Sequence, residues 1–332
     1  MILAIESSCD DSSLALLKIN TLELVYHKKI SQESEHNLFG GVVPELAARL
    51  HTKALPDLVD EVKEYFNDIK AVAVTNEPGL SVSLIGGVSM AKTLSMGLKV
   101  PLIPVNHLVG HIYSLFLDSK ARFPMGVLLV SGGHTMVLEI DEDKNIEILA
   151  STSDDSFGES FDKVAKMLGL GYPGGGIVAN YATKSTNKDR FKFPIPLLGD
   201  KRLEYSFSGL KNAVRLAIQK IDNINESDIS DICFAFENAA CLHIMDKLKR
   251  IFDEKKFKVF GVVGGASANL NLRARLNELC QRHNTELLMA PLEFCSDNAF
   301  MIARAAREKY LQGDFIDYSE IQINPRSVLN KA

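Results

Sequence analysis

"MGVLLVSGGHTMVLEI", residues 125–140, reads as an apolar strand, a short polar loop with two adjacent glycines, and a second apolar strand. The chain has already begun this way: "MILAIESSCDDSSLALLKI", residues 1–19, runs strand, polar loop, strand. A third strand follows each pair, "ELVYHKKI" (23–30) after the first and "NIEILA" (145–150) after the second. Two halves that open with the same grammar predict a duplicated α/β fold of two lobes with a cleft between them.

Working outward, "PELAARLHTKALPDLVDEVKEYF" (44–66) is amphipathic and predicts a helical region despite Pro56. The strand "KAVAVT" (70–75) follows, then the small-residue stretch "VSLIGGVSMAKTLSMGL" (82–98), which predicts a buried helix, and the short strand "PLIPV" (101–105). In the second half "VFGVVGGASANLNLRARLNELC" (259–280) passes from a strand through Gly264 and Gly265 into a helix. With 332 residues, 46% hydrophobic and 24% charged, the chain has material for two cores. A net charge of −5 argues against nucleic-acid binding by bulk charge. Glu6, Asp10 and Asp11 interrupt any signal-peptide core, and no later apolar run is long enough for a bilayer. Five scattered cysteines without a CxxC pair suit reduced thiols, so a cytoplasmic protein without membrane contact is expected.

The loops carry the chemistry. In "NHLVGH" (106–111), His107 and His111 are four apart, and a helix starting there stacks both rings on one face. A third ligand would come from His134 in the glycine loop or from Asp297 in "FCSDNAFMIA" (294–303). Two imidazoles and one carboxylate with open positions suit Fe(II) or Zn(II). A zinc peptidase places its general base directly after the first His of HExxH, where this chain has Leu108. Gly132 and Gly133 let backbone N–H groups approach an anion, with Ser131 and Thr135 adding hydroxyls. The loop Ser7–Asp11 combines hydroxyls with two carboxylates, which suits water, a cation or an amine. "GGASAN" (264–269) offers glycines for close approach, a helix start and Asn269 for a nucleoside.

Together, "ESSCDDS", "GGVVPELAARLH", "PVNHLVGHIYS", "LLVSGGHT", "FGESFDKVAKMLGLGYPGGG", "YSFSGLKNA", "GGASANLNLR" and "APLEFCSDNAFMIA" resemble the TsaD family, the bacterial relatives of the Kae proteins, in order along nearly the whole chain. The resemblance implies an actin-like ATPase fold of the sugar kinase and heat-shock ATPase type, ribonuclease H-like in each lobe. It implies an N-terminal lobe over 1–122, a C-terminal lobe with insertions over 123–298, and a helix and tail over 299–332 that return to the first lobe. The activity implied is transfer of threonylcarbamoyl from threonylcarbamoyl-AMP to the exocyclic amine of the adenine next to the anticodon in tRNAs reading ANN codons. ATP or AMP would fit the same cleft.

By resemblance, one divalent metal, Fe(II) or Zn(II), falls to His107, His111 and Asp297, and the reaction centre to Ser8, Asp10 and Asp11. Nucleotide contacts fall on Leu129, Val130, Ser131, Gly132, Gly133, His134, Asp162, Gly175 and Asn269. The metal would act as Lewis acid on donor oxygens, Ser131 and its loop would hold the AMP phosphate, and Asp162 the ribose. Asp10 or Asp11 would accept the proton or orient the amine. TsaB would pair through the first lobe, with TsaE regulating the pair. Asp11 stands where the family usually has Glu, Glu77 where it has Gly, Gly176 where Pro is commoner, and Ala179 where some members carry Asp. The basic run Lys184, Lys188, Arg190, Lys192, Lys201 and Arg202 would touch tRNA or lie as a solvated loop. A metallopeptidase and a small-molecule kinase or ATPase are the competing functions.

Overall fold

The computed structural model describes every residue except Val328 and Asn330. The chain divides into two compact units, Met1–Arg122 with Ala290–Ala332, and Phe123–Met289.

The first unit is built on β1 (Ile2–Glu6), β2 (Asp11–Leu17) and β3 (Leu24–Ser31), followed by the short α1 (Glu33–Asn37) and α2 (Pro44–Asp60). Then come β4 (Ala71–Glu77), α3 (Ser81–Leu98), β5 (Leu102–Asn106) and α4 (His107–Tyr113). The sheet order is β3-β2-β1-β4-β5, antiparallel through β1, β2 and β3 and parallel from β1 to β4 to β5. β1 is buried along its whole length, as expected for a central strand covered on both faces.

The second unit repeats this plan. β6 (Met125–Val130), β7 (Thr135–Ile140) and β8 (Ile146–Thr152) form the meander, and α5 (Phe157–Met167), α6 (Gly174–Thr183), the two-residue β9 (Glu204–Tyr205), α7 (Ser208–Ile218) and α8 (Glu226–Glu254) follow. β10 (Val259–Val263), α9 (Leu270–Arg282) and β11 (Glu286–Met289) end the unit. Its sheet runs β11-β10-β6-β7-β8-β9, with β10 and β11 parallel to β6. Without β9, the order and strand directions match the first sheet, so the repeated strand–loop–strand stretches are two copies of one topology.

Three expectations are adjusted. The segment 290–298 groups with the first unit, because it is tied there: Lys29 donates to Ser296 at 3.1 Å, and Ala299 N donates to Ser13 Oγ at 3.0 Å. The final helix α10 (Ala299–Gln312) packs its apolar residues on β1 and β2 of that unit. The helix predicted to Phe66 ends at Asp60, and the chain tightens into a 3-10 turn over Lys63–Asp68. α3 is not wholly buried, since Val82, Ile85 and Met96 stand exposed along it. Among the described residues no helix is long and apolar enough to cross a membrane.

Candidate metal centre and nucleotide loops

α4 starts directly at the end of β5, and Asn106 is its cap: Oδ1 accepts from Leu108 N at 2.9 Å and Val109 N at 3.3 Å. Asn106 Nδ2 in turn donates to Ser327 Oγ at 3.0 Å and Glu77 Oε1 at 3.3 Å. The cap therefore fixes the first turn, which carries His107, and one turn on His111 stands on the same face with the ring centroids 4.7 Å apart. Asp297 precedes Asn298, which caps α10 by accepting from Met301 N at 3.0 Å. His111 Nε2 lies 3.1 Å and His107 Nε2 3.3 Å from the same Asp297 Oδ1.

The three ligand atoms lie within 4.8 Å of one another. His134 is not part of this cluster, so the third position belongs to Asp297. On its other side His107 Nδ1 is 3.1 Å from Glu6 Oε2 and 3.1 Å from Ser8 Oγ. Burial pushes the His107 imidazole down, but the carboxylates of Asp297 and Glu6 outweigh this and hold it well above its ordinary value. Burial likewise opposes the Asp297 carboxylate, and the two rings reverse the effect and hold it well below the usual range. Burial lowers His111. Two imidazole nitrogens and one carboxylate oxygen thus converge on one point, where a divalent ion could take the place of the proton shared with Asp297, and an N,N,O donor set suits iron or zinc.

The loop before this centre is held from several sides. Ser8 N donates to Glu6 Oε1 at 2.6 Å, and Leu80 N to Ser8 O at 2.8 Å. Cys9 O accepts from Ser83 Oγ at 2.8 Å and lies 2.9 Å from His51 Nε2. Gly79 allows this contact, because a Cβ there would come 2.5 Å from Ser8 O. Ser8 thus reaches His107, while Asp10 and Asp11 continue into β2. Asp11 Oδ2 pairs with Lys29 Nζ at 2.8 Å, and Asp11 Oδ1 is buried without a hydrogen-bond partner. Burial pushes the Asp11 carboxyl up to about 6, against the pull of Lys29.

In the second unit Leu129 and Val130 are core residues at the end of β6, and Gly132 and Gly133 form the exposed turn. Ser131 N donates to His134 O at 2.8 Å and His134 N to Ser131 Oγ at 3.0 Å. Thr135 Oγ1 accepts from Phe157 N at 2.7 Å. Both hydroxyls expected to meet a ligand therefore brace the loop, which leaves the glycine backbone as its exposed part. Gly264, at φ 93°, brings the end of β10 so close that a Cβ would lie 2.3 Å from Val130 O. The Val130–Gly133 and Gly264–Asn269 loops are thereby brought side by side. Asp162 Oδ1 accepts from Gly174 N at 2.7 Å, which joins Asp162 to the first turn of α6 and Gly175. Asn269 caps α9 through Leu272 N at 2.8 Å and donates to Glu237 Oε1 at 2.7 Å.

Sequence reasoning missed Glu6, Lys29, Asn106 and Glu237. Glu6 had a visible signal, a carboxylate closing an otherwise apolar strand, because a buried charge needs a partner. The basic run is largely matched within its own unit: Arg190 pairs with Asp228 and Asp231, and Arg202 with Asp200. Lys188 lies over the Phe234 ring at 5.2 Å.

Comparison with known proteins follows the same lines. The family model described as "TsaD: tRNA N6-adenosine threonylcarbamoyltransferase" matches residues 23–304. A Campylobacter curvus protein of that name is 71% identical over 98% of this chain and 99% of its own length, and one from Campylobacter concisus is 70% identical over 98% of each. Among solved structures, the activator of 2-hydroxyisocaproyl-CoA dehydratase from Clostridium difficile, with bound ADPNP, aligns over 97% of this chain and 98% of its own at 15% identity and a TM-score of 0.56. HypF from T. kodakarensis aligns over 95% of this chain and 48% of its own at 14% identity and a TM-score of 0.63. These two share the actin-like ATPase fold and no close sequence. The duplicated sheets, the His-His-Asp cluster formed by α4 and the residue before the α10 cap, and a match over nearly all its length establish that this chain belongs to the tRNA N6-adenosine threonylcarbamoyltransferase family.

Proposed function

We propose that this chain transfers the threonylcarbamoyl group from threonylcarbamoyl-AMP to the exocyclic amine of the adenine next to the anticodon in tRNAs reading ANN codons. The observation that carries the reading is the convergence of His107, His111 and Asp297 beside the braced Ser8 loop, in a chain of this family. His107, His111 and Asp297 would hold a divalent metal, Fe(II) or Zn(II) being suited to the set, and it would supply Lewis acidity toward the donor. The donor is a mixed anhydride with AMP as leaving group, so the protein has mainly to position the amine and take its proton. Asp11 is the better proton acceptor of the two carboxylates, because its value near 6 and its unpartnered Oδ1 suit a general base at neutral pH. In the second unit the exposed Gly132–Gly133 backbone would take the AMP phosphate, and Asp162, Gly175 and Asn269 the nucleoside.

A TsaB-like partner would pair with the first unit, and the exposed Val82, Ile85 and Met96 on α3 support an apolar contact there. TsaE would regulate the pair, and a tRNA substrate favours a reaction in the cytoplasm. Peptidase action lacks its base, since the residue after His107 is the buried Leu108. The test is to mix the protein with TsaB, TsaE, the donor and unmodified tRNA and to look for the modified nucleoside by mass spectrometry. Product should appear only when this chain is present. Asp297→Ala should lose bound metal and transfer together while remaining folded; full activity after metal stripping would sink the reading.

A further inference from the structure

We propose that Glu6 is a positioning residue for the metal centre: its buried carboxylate holds the His107 ring as the Nδ1–H tautomer, leaving Nε2 as the nitrogen that faces Asp297 and takes the metal. The inference rests on the metal reading above and extends it to a residue outside the ligand set. Glu6 closes β1 with 0% exposure. Its Oε1 accepts from Ser8 N at 2.6 Å, and its Oε2 accepts from the Thr75 hydroxyl and lies 3.1 Å from His107 Nδ1.

A carboxylate only accepts, so the proton on the Glu6–His107 contact belongs to the ring. Ring orientation by a carboxylate on the non-ligating nitrogen is the usual support for a metal-bound histidine. A second consequence concerns Ser8, whose Oγ is also 3.1 Å from Nδ1. With Nδ1 protonated, that nitrogen has no lone pair for the serine proton. Ser8 is therefore not a nucleophile activated by His107, and its hydroxyl proton is left for another acceptor.

Glutamine at this position cannot repeat the arrangement, because three donors converge on two oxygens and an amide has only one. Its NH2 would face either the Ser8 N–H or His107 Nδ1, and the latter turns the ring into the Nε2–H tautomer, which blocks the ligating nitrogen. Zinc affinity of the full-length chain, measured by chelator competition, should fall about tenfold to a hundredfold in Glu6→Gln. An affinity within about twofold of the native chain, with an unchanged circular dichroism spectrum, overturns the inference. Should that variant not fold, nitrogen-15 spectra of the zinc-loaded native chain decide, with His107 assigned by its loss in His107→Asn. An Nδ1–H pattern is expected, and an Nε2–H pattern overturns the proposal. Zinc that binds native and His111→Ala chains equally removes the metal reading itself, and this inference with it.

Discussion

Asp11 and His243 are both displaced by burial, with opposite consequences for stability. Asp11 is raised from 3.8 to about 6, so between those values the folded chain binds the proton that the unfolded chain has lost. Its contribution to stability is present at low pH and lost as pH rises through about 6. Two units correspond to about 3 kcal/mol, and solvent screening of this carboxyl reduces it to about 1–2 kcal/mol. Asp11→Asn should therefore raise stability to urea at pH 7.5 by that amount while cutting transfer. The native rate should climb through about pH 6 to a plateau, because a base must be ionised, and the variant's profile should be flat. His243 is lowered by burial from 6.5 to about 4, with its Nε2 accepting from Ser206 N at 3.0 Å. There the unfolded chain binds the extra proton, so stability rises with pH from about 4 to 6.5 and is lost on acidification. The slope is at most about 1.4 kcal/mol per pH unit, and urea midpoints against pH should show His243→Leu without that limb.

Among the elements, α4 depends on its first residue's neighbour. Asn106→Ala removes the acceptor for two N–H groups and should cost about 1 kcal/mol by urea unfolding, with a measurable loss of zinc affinity. Glu77 and Ser327 hold the other side of that amide, so Glu77 has a local task here. At the start of α3, Gly79→Ala would drive a Cβ into the Ser8 carbonyl, and the backbone must yield. About 1–3 kcal/mol of lost stability is expected, with transfer falling more than stability alone explains. The strands and the duplication were legible because apolar runs bounded by polar loops need little else to be identified. The histidine pair was legible because helical spacing is local. Lys29 was not, since only the β2–β3 register, Ser13 opposite Lys29, brings it near Asp11. Asp297 was one of two possibilities, because 186 residues separate it from His111 and only folding joins them. Asn269 was visible as a polar residue after the glycines, but its duty as the α9 cap lies in the backbone that it meets.

At the scale of the molecule, the first unit is discontinuous and the second is not. α10 buries Phe300, Met301 and Ile302, and the fully buried Arg304 donates to Phe116 O at 2.6 Å and Ser119 O at 3.0 Å. A chain ending at residue 289 should therefore bind no zinc and lose the cooperative unfolding of its first unit. Limited proteolysis of it should leave a protected fragment beginning near residue 123, because that unit is contiguous and carries its own core. A ribosome releases this chain from its amino end, so the first 122 residues wait while the inserted unit is made and folded. The carboxylate that completes the histidine pair emerges only with Asp297. Stalled or prematurely terminated chains would therefore lack the complete donor set, and a filled centre would mark a chain whose translation has passed that codon.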